Sequence, residues 1–285
     1  MEIKPQNFEG TVKRGSITCP CCGFTTSVKA VRKQLQSRRG GTNDARLFCV
    51  VTTKSGEKGR HYRLPNIEDL MGVEKARKQI INQEQQDFYT NSLIPDEPLP
   101  PQGALGFRVQ LYGMKQWGDI FTSRQLLALT ILSRLVRTAG IKLSDNQDKG
   151  LDVAIQVVLS LCVSKIADVI NSLVTWQITM DRIRNLFARQ AVPMAWDFAE
   201  TSPVSGAAGD YSITIKNVLE VLDQECNTGY FSGSVENTSA FVNPLPSESA
   251  QSFFSDPPYY DAVQGYFILK MRLSVSKPYL HRRSV

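Results

Sequence analysis

Long apolar runs are scarce in this chain of 285 residues. The most apolar stretch, 154–170, is broken by Lys165 and Asp168 and falls short of the ~20 apolar residues a membrane span needs. Residues 1–14 are predominantly polar, so no cationic-then-apolar leader opens the chain. There are only two histidines, His61 and His281, and neither sits in a partner pattern. A P-loop, a Ser/His/Asp or Cys/His hydrolase arrangement and an internal repeat of 20–50 residues are all missing. These absences predict a soluble, cytoplasmic chain without a membrane partner. What remains is ordinary for a globular protein: 42% hydrophobic, 21% charged and 9% aromatic residues, which exclude collagen-like, coiled-coil and wholly disordered chains.

Charge is unevenly spread. Residues 1–64 hold 13 Lys/Arg against 4 Asp/Glu, a balance of +9, and residues 270–285 add +5 with no acid. With +6 for the whole chain, the middle carries −8. Basic ends can follow phosphate backbones through counterion release, or form a solvated basic surface. Three of the six cysteines, Cys19, Cys21 and Cys22, crowd into four positions, whereas Cys49, Cys162 and Cys226 are scattered. That is not the spacing of a secreted disulfide framework and points to a reducing compartment.

Residues 1–63 read as short strands and turns, with a β-branched strand at 48–53. Asn66 caps an expected helix to about Phe88, followed by four prolines within 94–103. Further helices are expected from Thr122 or Ser123 to Gly140, from Asp152 to about Val174, over 190–200 and over 215–224. Trp117, Asp119 and Arg124 suit either DNA contact or packing and capping, and Trp196 and Phe198 suit the core. The glycine pairs Gly103/Gly106 and Gly206/Gly209 do not follow apolar strands and read as turns.

The most informative tetrapeptide is Asp256-Pro257-Pro258-Tyr259, entered from a short apolar run at 252–255. A strand running into this sequence places a stiff loop at its carboxyl end, because each proline restricts its own φ and the residue before it. The loop suits methylation of an exocyclic amine. The Asp256 carboxylate and the Pro257 carbonyl are acceptors for the two N–H groups of such an amine. They stabilise the charge that develops as the nitrogen attacks a sulfonium methyl. Tyr259 offers a flat face to a flipped-out base, and such stacking contributes roughly 1–3 kcal/mol.

Seven segments in order resemble the large adenine-specific DNA methyltransferases that contain a zinc ribbon. They are Cys19–Phe24, Arg46–Val51, Pro98–Gly103, Phe107–Gly113, Trp117–Leu127, Arg189–Glu200 and Ser255–Asp261. The resemblance covers most of the chain. It implies methyl transfer from S-adenosylmethionine to adenine in DNA, with Asp256, Pro257, Pro258 and Tyr259 as the catalytic loop. It also implies a mixed α/β fold: an incomplete Rossmann-like methyltransferase with a partial zinc ribbon and a largely helical insertion. The units expected on that basis are a partial ribbon and β region (1–63), a helix and Pro-rich linker (64–104), a helical insertion (105–240) and a partial methyltransferase core (241–285).

The sequence also departs from the family. Only 18 residues precede Cys19, leaving no room for the family's Gly-rich cofactor loop, and the place of an acidic residue facing the cofactor falls near Ser239. A fragment with little activity alone is therefore expected, working with DNA and with a separate N-terminal cofactor-binding half. Cys19 and Cys22 resemble one zinc knuckle of the two a tetrahedral site ordinarily uses. Cys21, Cys49 and His61 are further candidate ligands. The alternative function is a non-catalytic nucleic-acid-binding module built on the basic ends.

Overall fold

The computed structural model describes residues 4, 10–38, 40–86, 94–103, 106–143, 149–186, 192–229, 233, 245–252 and 254–255. Over these residues the chain is mixed α/β, with five α-helices and three small antiparallel sheets. The first sheet joins β1 (Val12–Lys13), β2 (Ser16–Thr18) and β3 (Thr25–Thr26) in that order. It leads into α1 (Val28–Ser37), whose N-terminus is capped by the Ser27 hydroxyl accepting from the Ala30 N–H. This helix lies where only strands and turns are expected. Its signals are the Ser27 cap and the spacing of Val28, Val31 and Leu35 on one face.

β4 (Val50–Thr52) pairs with β5 (His61–Arg63), matching the β-branched run. α2 (Ile67–Gln86) begins with a reciprocal cap. The Asp69 N–H donates to Asn66 Oδ1 at 2.9 Å, and the Asn66 N–H donates to Asp69 Oδ2 at 2.8 Å. The Pro-rich stretch then docks on the segment before Trp117. The Leu99 N–H donates to the Lys115 carbonyl, the Trp117 N–H to that of Glu97, and the Gly118 N–H to that of Pro95. A Cβ on residue 118 would stand 2.8 Å from the Pro95 oxygen, so only glycine allows this approach.

α3 (Ser123–Leu143) and α4 (Lys149–Ala167) pack side by side and carry the core. Leu129 and Val136 of α3 meet Val163 and Ile166 of α4 around Met114, Trp117, Ile120 and Ile170. α3 does not stop at Gly140, as the sequence suggests. It continues because the missing side chain makes room for Gln156 of α4, whose amide occupies the place a Cβ would take.

α4 ends before Val174. The Asn171 side chain donates to the carbonyls of Ala167 and Asp168 and accepts from the Leu173 N–H, substituting for the next helical turn. β6 (Thr175–Gln177) and β7 (Arg182–Arg184) follow, turning at Asp181 in the left-handed region at φ 47°. By length and composition the Gly150–Ala167 segment is apolar enough to cross a membrane, with a mean hydropathy of 1.7, yet here it packs between α3 and α5 (Tyr211–Cys226).

The helix expected over 190–200 is absent among the described residues 192–200. Pro193 biases Val192 away from helical geometry, and Phe198 instead forms an isolated antiparallel bridge with Thr175. Likewise no strand occurs at the described residues of the apolar run before Asp256, and Phe254 there is 92% exposed. A Rossmann-like sheet is not formed by the described residues, whose three sheets are all antiparallel.

Candidate cysteine knuckle and the cleft beside it

β2 and β3 pair Ile17 with Thr26 and Thr18 with Thr25, and the two threonine hydroxyls meet at 3.0 Å. The Cys19–Phe24 turn closes the free end of this hairpin. The Cys19 N–H donates to the Phe24 carbonyl and the Gly23 N–H to the Cys19 carbonyl, each at 2.9 Å. Gly23 takes φ 72°, a conformation that explains glycine at this point. Hydrogen bonding from the Cys22 backbone, then from that of Cys21, pulls the Cys19 thiol below its ordinary pKa. Cys21 and Cys22 are exposed, as is Phe24 at 69%.

Two cysteines separated by two residues give this turn the donor chemistry of one zinc knuckle. The other half is not completed within the described residues, where no group of three or more His, Cys, Asp or Glu side chains gathers to hold a metal. Cys49 lies at the start of β4 beside Arg63, and burial pushes its thiol pKa up. His61 Nε2 faces Glu57 Oε2 at 3.1 Å. Neither joins Cys19 and Cys22, so these two candidate ligands drop out.

One hairpin step from the knuckle, Ile17 and Thr26 enter the wall of a cleft of about 400 Å³. Met114 and Met194 line it with Trp196 and Phe198, and Arg38 and Arg46 also contribute to its lining. Arg38 Nη2 meets Asp44 Oδ2 at 3.1 Å. Trp196 and Phe198 are thus half-buried cleft residues rather than core, and Trp196 and Tyr112 stand nearly perpendicular with ring centroids 5.3 Å apart. Arg32 lies over the Tyr112 ring at 5.3 Å. Sequence reasoning missed this cleft because its lining comes from segments more than a hundred residues apart.

Trp117, Asp119 and Arg124 have packing and capping partners. Trp117 is fully buried against Phe107. Asp119 accepts from the Lys115 and Gln116 N–H groups at 2.6 and 2.9 Å. Arg124 pairs with Glu200. The glycine pairs are turns, with left-handed φ at Gly103, Gly106, Gly206 and Gly209. The second pair precedes α5, and Asp210 ties it to that helix. Asp210 Oδ2 accepts from the Gly206 N–H at 2.7 Å, and Oδ1 accepts from the Ser212 N–H at 2.7 Å. A carboxylate of the chain itself thus takes the Gly206 N–H and caps the start of α5. Asp256, Pro257, Pro258 and Tyr259 lie outside the described residues.

Comparison with protein-family models, with curated proteins and with solved structures returns no match.

Proposed function

We propose that this chain is the DNA-engaging and catalytic-loop part of an adenine-specific DNA methyltransferase, with the S-adenosylmethionine loop supplied from outside it. The reading rests on Asp256-Pro257-Pro258-Tyr259 together with the six upstream segments. One structural observation supports treating those segments as a unit: several of them interlock. Gln110 Nε2 donates to the Pro100 carbonyl at 2.6 Å, Phe107 packs edge-on against Trp117, Tyr112 against Trp196, and Arg124 pairs with Glu200. Segments that form one body can hold a stiff acceptor loop toward a flipped base, whose amine would be held by Asp256 and the Pro257 carbonyl.

The test is N6-methyladenine in DNA, measured by mass spectrometry in cells that express a cofactor-binding methyltransferase half together with the chain or with its Asp256→Ala variant. The expected result is methylation that the variant loses. Equal levels in both, or none above background, reject the methyltransferase reading.

A second reading, a non-catalytic nucleic-acid-binding module, draws on the +9 balance of residues 1–64 and on Arg38 and Arg46 at the cleft. It is favoured if DNA affinity falls steeply with salt, no methylation appears and calorimetry detects no S-adenosylmethionine binding.

A further inference from the structure

We propose that the cleft beside the cysteine turn is a nucleotide site, which takes one unstacked nucleobase against Trp196, Phe198 and the two methionines and its phosphate on Arg46. The size fits, since about 400 Å³ lies within the roughly 300–1,000 Å³ of small-molecule sites. The inner end is apolar, with Val31 and Met114 buried. Two lining hydroxyls are already spent: Ser172 donates to the Ile120 carbonyl at 2.7 Å, and Thr42 to that of Asp119 at 3.0 Å. An occupant therefore meets thioethers and aromatic rings, which suit a flat, polarisable body. Tyr112 packs nearly perpendicular to Trp196, and Arg32 covers the Tyr112 ring. The indole is thus positioned before any ligand arrives, which lowers the entropic cost of stacking a base on it.

The open end of the cleft is basic. Arg38 and Arg46 are both exposed there, but their surroundings differ. Arg38 stands 3.1 Å from Asp44 Oδ2 and donates through Nε to the Gln34 carbonyl, so a carboxylate of the chain already balances its charge. Arg46 has no acidic partner among the described residues. Its Nη1 donates to the Asp44 and Ala45 carbonyls at 3.3 and 3.1 Å, which fixes the guanidinium and leaves Nε and Nη2 without a bond among those residues. A pinned, planar fork of this kind matches an anion through two parallel hydrogen bonds.

Phosphate is the better match for that fork than carboxylate. Residues 1–64 carry a balance of +9, and such a field draws in phosphate-bearing ligands. Gln34 is exposed in the same lining, and its side chain makes no hydrogen bond among the described residues. Its amide supplies both the donor and the acceptor that the edge of an unpaired base requires. A free nucleoside monophosphate and an unpaired nucleotide within a strand share this chemistry. The inference deepens the nucleic-acid side of the proposed function, and it involves neither Asp256 nor S-adenosylmethionine.

The experiment titrates the full chain, without S-adenosylmethionine, with deoxyadenosine monophosphate, deoxyadenosine, deoxyribose phosphate and benzoate. Binding is read by calorimetry and by tryptophan fluorescence. The expected result is saturable binding of the monophosphate, at least about tenfold tighter than that of the nucleoside or the sugar phosphate. Arg46→Ala, at an exposed position, should remove the advantage over the nucleoside. Trp196→Phe should keep the binding that Trp196→Ala loses. Single-stranded oligodeoxyadenosine and its abasic counterpart then separate the two sources. Displacement of the monophosphate by the strand but not by the abasic one identifies a nucleotide within a strand, and no displacement by either identifies the free nucleotide. Failure of both monophosphate and strand to bind, equal binding of the sugar phosphate, unchanged affinity in Arg46→Ala, or tighter binding of benzoate would each overturn the proposal. Nucleotide binding without N6-methyladenine formation rejects the methyltransferase reading alone, whereas methylation without nucleotide binding at the cleft rejects this inference alone.

Discussion

Arg124 and Glu200 lie 76 residues apart and meet as a fork on a fork: Nε to Oε1 at 2.9 Å and Nη2 to Oε2 at 3.0 Å. The pair ties the first turn of α3 to the segment that brings Trp196 and Phe198 to the cleft. Both side chains are largely shielded, at 33% and 17% exposure, so the bond sits between the surface and buried regimes. Arg124→Ala is expected to cost about 1–3 kcal/mol in urea unfolding, because Glu200 keeps its desolvation and loses both donors. Arg124→Lys should recover only part of this, since an ammonium cannot match both oxygens at once. A loss below about 0.5 kcal/mol would place the pair with ordinary surface ion pairs.

Asp69 carries the clearest pH dependence. Arg63 reaches it with two nitrogens, at 2.6 and 3.0 Å, and the Asn66 N–H adds a third bond. The Arg63 bonds, then the Asn66 bond, lower its pKa from 3.8 to about 2. A carboxyl depressed in the folded state contributes stability that is complete above its unfolded value and lost as pH falls through the folded one. The difference in melting temperature between the unmutated chain and Asp69→Asn should therefore be constant above pH 5 and shrink between about pH 4 and 2. A difference that stays flat across that window contradicts the assignment.

The thiols of Cys19 and Cys49 are shifted in opposite directions. Backbone donors lower the pKa of Cys19, whereas burial raises that of Cys49. Alkylation of the metal-free chain by iodoacetamide, followed by peptide mass spectrometry across pH 6–10, should give a lower midpoint for Cys19. The reverse order would mean that the knuckle donors do not hold a thiolate.

Gly206 and Gly209 separate two costs of adding a side chain. Both take left-handed φ, at 68° and 92°. Residue 206 faces open space, while a Cβ at 209 would collide with the Thr201 side chain, whose hydroxyl already donates to the Ala208 carbonyl at 2.6 Å. Alanine at 206 is expected to cost about 1 kcal/mol from backbone strain alone, and alanine at 209 about 2–3 kcal/mol. Chemical denaturation of the two variants measures the difference, and equal losses would remove the steric part of the explanation.

Local features were legible in the sequence where the cause was local. The Asn66 start of α2, the start of α3 near Ser123, the β-branched run at β4 and the glycine turns all depend on residues within a few positions of one another. α1 escaped notice because its cap and apolar spacing sit among turn signals, and the Gly140 stop misled because glycine reads as punctuation until a neighbouring helix is known. Trp117, Asp119 and Arg124 had two readings open. Only their partners, Phe107, the Lys115 and Gln116 N–H groups and Glu200, distinguish anchoring from exposure.

The same division runs through the candidate site. Sequence alone determined the order of its chemical segments, the uneven charge, and a turn carrying two cysteines at ligand spacing, because covalent neighbours settle each of these. Tertiary structure decided that Cys49 and His61 stand apart from that turn and that Asp210 takes the Gly206 N–H of the second glycine loop. It also decided that Ile17, Met114 and Trp196 share one cleft. Those are relations between distant parts of the chain, and they depend on packing α3 and α4 and on docking the hairpin beside them, which no single stretch of sequence specifies.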